Sequence, residues 1–226
     1  MARTSARPAA ATSERDDATA MELAASYRFL RRAIGLLGGL LPVVVPLGYS
    51  ISTGDWRLYP SISSYYYTDM RNIFVAILCA TGIFLICYRY QRLDDILSYV
   101  AGATSIGIAL CPPVPPNPST LASVAGVLHV VFAAVFFVTM ALICWFLFTK
   151  SDRPVQQRTP QKNVRNRIYR VCGILIAVFT ALAGLSSFTP QSFVDAVHPL
   201  YWCEAVATVS FGVAWWIKGE TLFTDK

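Results

Sequence analysis

The stretch from Leu121 to Phe148 runs for 28 residues without a charged side chain. As a helix it is about 42 Å long, against the ~30 Å of a hydrocarbon core. A folded core of this chain's size has no room for several such segments, and five more apolar runs accompany it: Ala33 to Ile51, Asn72 to Tyr88, Ile96 to Cys111, Val171 to Phe188 and Pro199 to Ile217. Of the 226 residues, 55% are hydrophobic and only 14% charged, where soluble domains carry about a quarter. The expected fold is therefore all-α, an integral membrane bundle of six transmembrane helices. The short second and third runs make five the alternative count.

Charge placement sets the expected orientation. The net charge is +6, but the basic residues cluster at the ends of the apolar runs, as topology signals do, and nucleic acid is not an expected partner. Seventeen Lys and Arg fall in the N-terminal tail, segment 89–95, segment 149–170 and the C-terminal tail, against Arg57 and Arg71 alone in the alternate connections. That asymmetry is expected to put both termini on the cytoplasmic side. Trp56 and Trp202 then fall near the outer interface, and Trp145, Trp215 and Trp216 near the inner one, as an aromatic belt.

Residues 1–26, rich in Ala, Ser, Thr and Arg, are expected to form a disordered cytoplasmic tail ahead of a membrane domain at 27–220, with a second cytoplasmic tail at 221–226. Met21 offers an alternative start to Met1. Pro42 and Pro46 interrupt the first run, which a membrane bundle tolerates when neighbours satisfy the freed carbonyls. Gly35 and Gly39 give that run a small-residue face suited to packing within a monomer or between subunits. Six cysteines show neither a disulfide framework nor zinc-ligand spacing.

The polar residues of interest gather toward one end. Ser61-Ile62-Ser63-Ser64-Tyr65-Tyr66-Tyr67-Thr68-Asp69-Met70-Arg71-Asn72 sets hydroxyls, three tyrosines, an acid and a base before the second run. Its tyrosines suit interface anchoring, and its hydroxyls suit a lipid headgroup or sugar. The uncharged proline run from Cys111 to Pro118 is expected as a stiff extended cap, with a ligand-facing lid as the alternative. His129 falls near the outer boundary, His198 at the start of the sixth helix, and Asp69 and Arg71 beside them on the second. Glu204, about 9 Å deeper than His198, is the one acid well inside an apolar run. An ionisable group there pairs or lines a polar cavity; Arg71 and a tyrosine hydroxyl are its expected partners.

The candidate ligand-binding set is thus Ser61, Ser63, Tyr65, Tyr66, Tyr67, Asp69, Arg71, His129, His198 and Glu204. The expected function is non-catalytic: binding of a lipid, a small ligand or a partner protein through an extracytoplasmic polar cluster, with homo-oligomers allowed and no cofactor. Two alternatives remain open. Asp69, His129, His198 and Glu204 suit a divalent metal in a membrane hydrolase acting on a lipid ester or amide, although no H-E-x-x-H is present. His129 and His198 suit axial ligation of haem b in an electron-transfer subunit. On the cytoplasmic side, Lys162 to Arg170 suits anionic lipid.

The string from Ser61 to Val75, with Leu128-His129-Val130-Val131-Phe132-Ala133-Ala134, Arg165-Asn166-Arg167-Ile168-Tyr169-Arg170 and Trp216-Ile217-Lys218-Gly219-Glu220, resembles an uncharacterised group of bacterial six-helix integral membrane proteins. In layout the chain is similar to the DUF998 and Frag1/DRAM-like membrane proteins, which share a polar outer connection before helix two and a histidine early in helix four. The resemblance implies the bundle, in a bacterial inner (plasma) membrane, but no reaction. Ceramidase-like hydrolases also use Ser, Asp and His in helical bundles, but this chain lacks their paired histidines.

Overall fold

The computed structural model describes residues 7–89, 92–151, 154, 157–186 and 188–222, with side chains from residue 18 onward. Arg3, Arg153 and Lys226 of the charge count, and most of the expected tail at 221–226, lie outside the described residues. The protein is all-helical, 81% helix, with no strand among the described residues. Among the described residues, five helices are long and apolar enough to cross a membrane: α1 (Arg7–Thr53, through its part from Ala18), α3 (Arg92–Leu110), α4 (Thr120–Leu142, continued by a π-turn at Ile143–Leu147), α5 (Pro160–Ser186) and α7 (Pro199–Lys218). Helix α2 (Arg71–Cys87) is apolar but has 17 residues, about 26 Å. A seven-residue helix, α6 (Gln191–Val197), lies in the connection before α7.

The starts are written locally. Ser119 caps α4, its Oγ accepting the Ala122 N–H at 3.2 Å, and Thr159 does the same for Lys162 at 3.1 Å ahead of Pro160. Helix α5 therefore begins before the basic stretch Lys162 to Arg170, which is helical. Pro199 opens α7 after His198, whose φ of 50° turns the chain sharply between α6 and α7. The stretch expected as a disordered tail is helix from Arg7. The alanines at 9–11, 18, 20, 24 and 25 explain this, since alanine has the highest helix propensity.

Antiparallel neighbours build the bundle. Helices α1 and α7 approach through glycine: a Cβ on Gly35 would meet the Trp216 nitrogen at 2.7 Å and the Gly212 oxygen at 2.8 Å. The small-residue face of α1 is thus filled by α7 of the same chain. Helices α2 and α3 cross the same way, a Cβ on Gly82 meeting the Gly102 oxygen at 2.7 Å, and Ser105 Oγ donates to the Leu78 carbonyl at 2.8 Å. Helix α5 packs on α4 and α7, leaving α4 and α7 only weakly in contact.

The prolines of α1 have a tertiary consequence. Pro46 has no N–H, so the carbonyl four residues earlier, Pro42, loses its helical donor. The Tyr201 hydroxyl of α7 donates to that carbonyl at 2.5 Å in a buried position. Pro42 likewise frees the carbonyl of Gly38.

The two ends of the bundle differ. One holds the connections after α1, α3 and α5 and is here called the tyrosine end. The other, the basic end, holds an aromatic core in which Trp215 packs on Tyr88 (ring centroids 5.2 Å apart) and Phe148 (5.1 Å). Trp215 is 0% exposed, so it is a core residue and not a belt residue; Trp56 and Trp202 are exposed. The C-terminus of α7 is closed by cations from α1. Arg31 Nη1 donates to the Lys218 carbonyl at 3.4 Å and Arg32 Nε to the Gly219 carbonyl at 2.9 Å, where helix carbonyls lack partners.

Candidate functional site

The Ser/Tyr stretch does not lie flat on the bundle; it folds into the tyrosine end. Ser61, Ile62, Ser63 and Tyr65 are all buried, and a short 3₁₀ helix covers Ser63–Tyr67. The Tyr201 N–H donates to the Pro60 carbonyl at 3.0 Å, pinning the connection to the first turn of α7. One turn further along α7, Glu204 Oε2 accepts the Ile62 N–H at 2.6 Å. Glu204 therefore pairs with backbone, not with Arg71 or a tyrosine. A carboxylate is a strong acceptor for an N–H at the start of a helical turn, where the donor has no helical partner.

Arg71 instead turns back on its own element: Nε donates to the Tyr66 carbonyl at 3.0 Å, with the guanidinium 4.9 Å from the Tyr66 ring centroid. Asp69 is exposed and joins no hydrogen bond or ion pair of this cluster among the described residues.

His129 is 5% exposed, and its Nδ1 lies 2.6 Å from the Cys111 carbonyl. A carbonyl only accepts, so Nδ1 carries the proton in this bond, and the Ile108 carbonyl also lies within hydrogen-bonding reach of the ring. His198 lines neither cavity that His129 lines, and its buried Nδ1 has no hydrogen-bond partner among the described residues. No group of three or more His, Cys, Asp or Glu side chains converges among the described residues, so the proposed metal set of Asp69, His129, His198 and Glu204 is not assembled.

Two spaces meet at Glu204 and His129. An inner cavity of about 60 Å³ lies between α1, α2, α4 and α7, and a groove of about 260 Å³ lies between α4, α5 and α7. Ser63, His129, Ala133, Phe137 and Glu204 line both. The groove walls are otherwise mostly apolar, with Phe179 and Ala183 on α5 and Leu200 and Ala207 on α7. Gly184 faces open space, since a Cβ there would meet no atom within 4 Å. The inner cavity holds an unmet polar group, Thr81 Oγ1, on a residue only 2% exposed. Such a group asks for water or a ligand.

The remaining expected residues frame this site. Ser61 Oγ lies 3.2 Å from Ser63 Oγ and 2.6 Å from Ser64 Oγ, a hydroxyl chain along the groove wall. Pro113 also lines the groove, and the Tyr67 hydroxyl donates to its carbonyl at 2.5 Å. The proline run, uncharged and non-helical, thus forms part of the groove wall and is tied down by Tyr67. Tyr65 belongs elsewhere. It is 0% exposed, accepts the Tyr59 N–H at 3.3 Å, and packs on Tyr59 and Tyr49. It is neither an interface anchor nor a groove residue.

Thr81, the backbone of Ile62, and the groove residues of α5 were not among the expected set. Thr81 is the only hydroxyl residue between Asn72 and Tyr88, a signal present in the sequence. The Ile62 N–H has none, because a backbone donor looks alike at every position.

The tyrosine cluster has a pH signature. Tyr65 and Tyr67 titrate above the ordinary tyrosine value near 10 because burial disfavours the phenolate. The neutral forms are favoured by folding, so this stabilisation is complete below the ordinary value and is lost as pH rises through the raised ones. Thermal stability in detergent should be level from neutral pH to about 10 and fall beyond it as tyrosinate absorbance grows. Tyr65→Phe should flatten the fall. An unchanged alkaline limb in that variant would show that the cluster does not govern it.

No protein-family model, curated protein or solved structure matches this chain.

Proposed function

We propose that this protein is a six-helix integral membrane protein that binds, without transforming it, a single-chain amphiphile whose head carries hydrogen-bond donors. The carrying observation is that Glu204 and His129 stand where the apolar groove meets the inner cavity. Glu204 presents a carboxylate there, with acceptor capacity beyond its bond to the Ile62 N–H. A carboxylate where an apolar groove meets a small cavity, with a histidine ring beside it, complements an ammonium or polyhydroxyl head followed by a hydrocarbon tail. In this reading α2 is the sixth span, its 17 residues accommodated by local thinning and by polar flanks at Arg71 and Arg89. The basic end faces the cytoplasm by the positive-inside asymmetry, so the site lies toward the outer leaflet of a bacterial inner membrane.

The reading is tested by native mass spectrometry of detergent-purified protein incubated with hexadecylamine or with hexadecanoic acid. Glu204→Gln keeps an acceptor for the Ile62 N–H but removes the charge. Hydrogen bonds to charged groups contribute about 1.5–3 kcal/mol, so amine retention should fall roughly tenfold or more, with little change in Tm. Preference for the acid, or equal amine retention by the variant, would contradict the proposed polarity.

A further inference from the structure

A second cavity, of about 390 Å³, opens at the basic end and shares no lining residue with the groove. Three cations from three parts of the chain line it: Lys150 after the π-turn, Arg158 ahead of α5 and Lys218 at the end of α7. Arg31, Lys162 and Arg165 add positive charge within electrostatic reach of Lys218. The Lys218 ammonium lies over the Phe148 ring, 5.2 Å from its centroid. Ser98 and Ser151 contribute hydroxyls to the wall.

One acid stands among these cations. Asp94, in the first turn of α3, is 6% exposed and lines the cavity. Its Oδ1 forms an ion pair with Lys150 Nζ at 3.7 Å, beyond hydrogen-bond distance, and accepts no hydrogen bond among the described residues. A buried carboxylate oxygen facing a cationic cavity is an acceptor awaiting a donor. A simple anion would supply charge for the lysines and nothing for Asp94.

We infer that this cavity binds a phosphate monoester. Its monoanion carries unprotonated oxygens for Lys150, Arg158 and Lys218 and one P–O–H, which donates to Asp94 Oδ1. The second ionisation of a phosphate monoester falls near pH 6, and a carboxylate acceptor holds that proton in place. A phosphodiester carries the same single charge but has no such proton, so it offers Asp94 no donor. The cavity therefore selects monoester over diester, whether the phosphate arrives on a lipid or free in solution.

The test uses full-length protein in detergent and native mass spectrometry with three probes: dioleoyl phosphatidic acid, dioleoyl phosphatidylcholine and inorganic phosphate. Phosphatidic acid should stay bound where phosphatidylcholine does not. The Lys150→Gln/Arg158→Gln double variant should retain it about tenfold less, two charges at a membrane surface being worth at least that. The charge-conserving Lys150→Arg/Arg158→Lys variant should keep it, separating loss of charge from loss of fold. Displacement by millimolar inorganic phosphate would assign the site to soluble phosphate. Persistence against it would assign the site to the lipid. Equal retention of both lipids, or undiminished retention by the glutamine variant, would overturn the inference.

Discussion

Gly212→Leu should destabilise the protein by about 3 kcal/mol or more, and we expect it to run as aggregate in detergent. The helix pair α1 and α7 touches backbone to backbone, and a Cβ on Gly212 would meet the Gly35 oxygen and the Gly39 nitrogen, each at 2.8 Å. Flexible side chains yield to an added group, but backbone does not. Separation of α1 from α7 would also break the bond between Tyr201 and the proline-freed carbonyl of Pro42 and move Glu204 off Ile62. Gly184→Leu on α5 is the control, because the space beyond Gly184 is open. Thermal unfolding with size-exclusion profiles reads both. A Gly212→Leu protein that stays monodisperse at wild-type Tm would show that the two helices do not pack this way. Conversion of a wild-type dimer into a stable monomer would mean that the glycine face joins two copies.

The helical character and the positions of the apolar runs were legible because a long uncharged run has few alternatives to helix. Which face of each run meets protein was not legible. Lipid and protein interior reward the same side chains, so Trp215, buried against Tyr88 and Phe148, reads in the sequence like the belt residue Trp202. The extent of α1 was missed for a related reason: an alanine-rich polar stretch lacks an apolar period yet has high helix propensity.

Within the site, Glu204 and His129 stood out because an ionisable group in an apolar run is costly. Their partners did not, since both are backbone atoms, the Ile62 N–H and the Cys111 carbonyl. Asp69, Arg71 and His198 shared the same stretch or depth without sharing the cavity. Depth along a helix is fixed by the 1.5 Å rise, whereas direction around it depends on neighbours that only the fold supplies. Asp94 shows the opposite case. It lies in a short charged connection that reads as a solvated topology signal, and the packing of α3 against the turn after α4 carries it inward.

The groove itself offers the largest effect on binding. A Cβ on Gly184 would meet no atom within 4 Å, so Gly184→Phe sends a ring from the groove wall into the space between α4, α5 and α7 with no clash at its Cβ. The most direct measurement is photolabelling of the membrane-embedded protein by a diazirine-bearing hexadecylamine, mapped by peptide mass spectrometry. Label should concentrate on groove residues such as Ala133, Phe179, Ala183 and Ala207, fall roughly tenfold in Gly184→Phe, as expected when more than about 1.4 kcal/mol of binding is lost, and leave Tm unchanged. Label spread evenly over the lipid-facing surface, and indifferent to Gly184→Phe, would contradict a groove that holds an amphiphile.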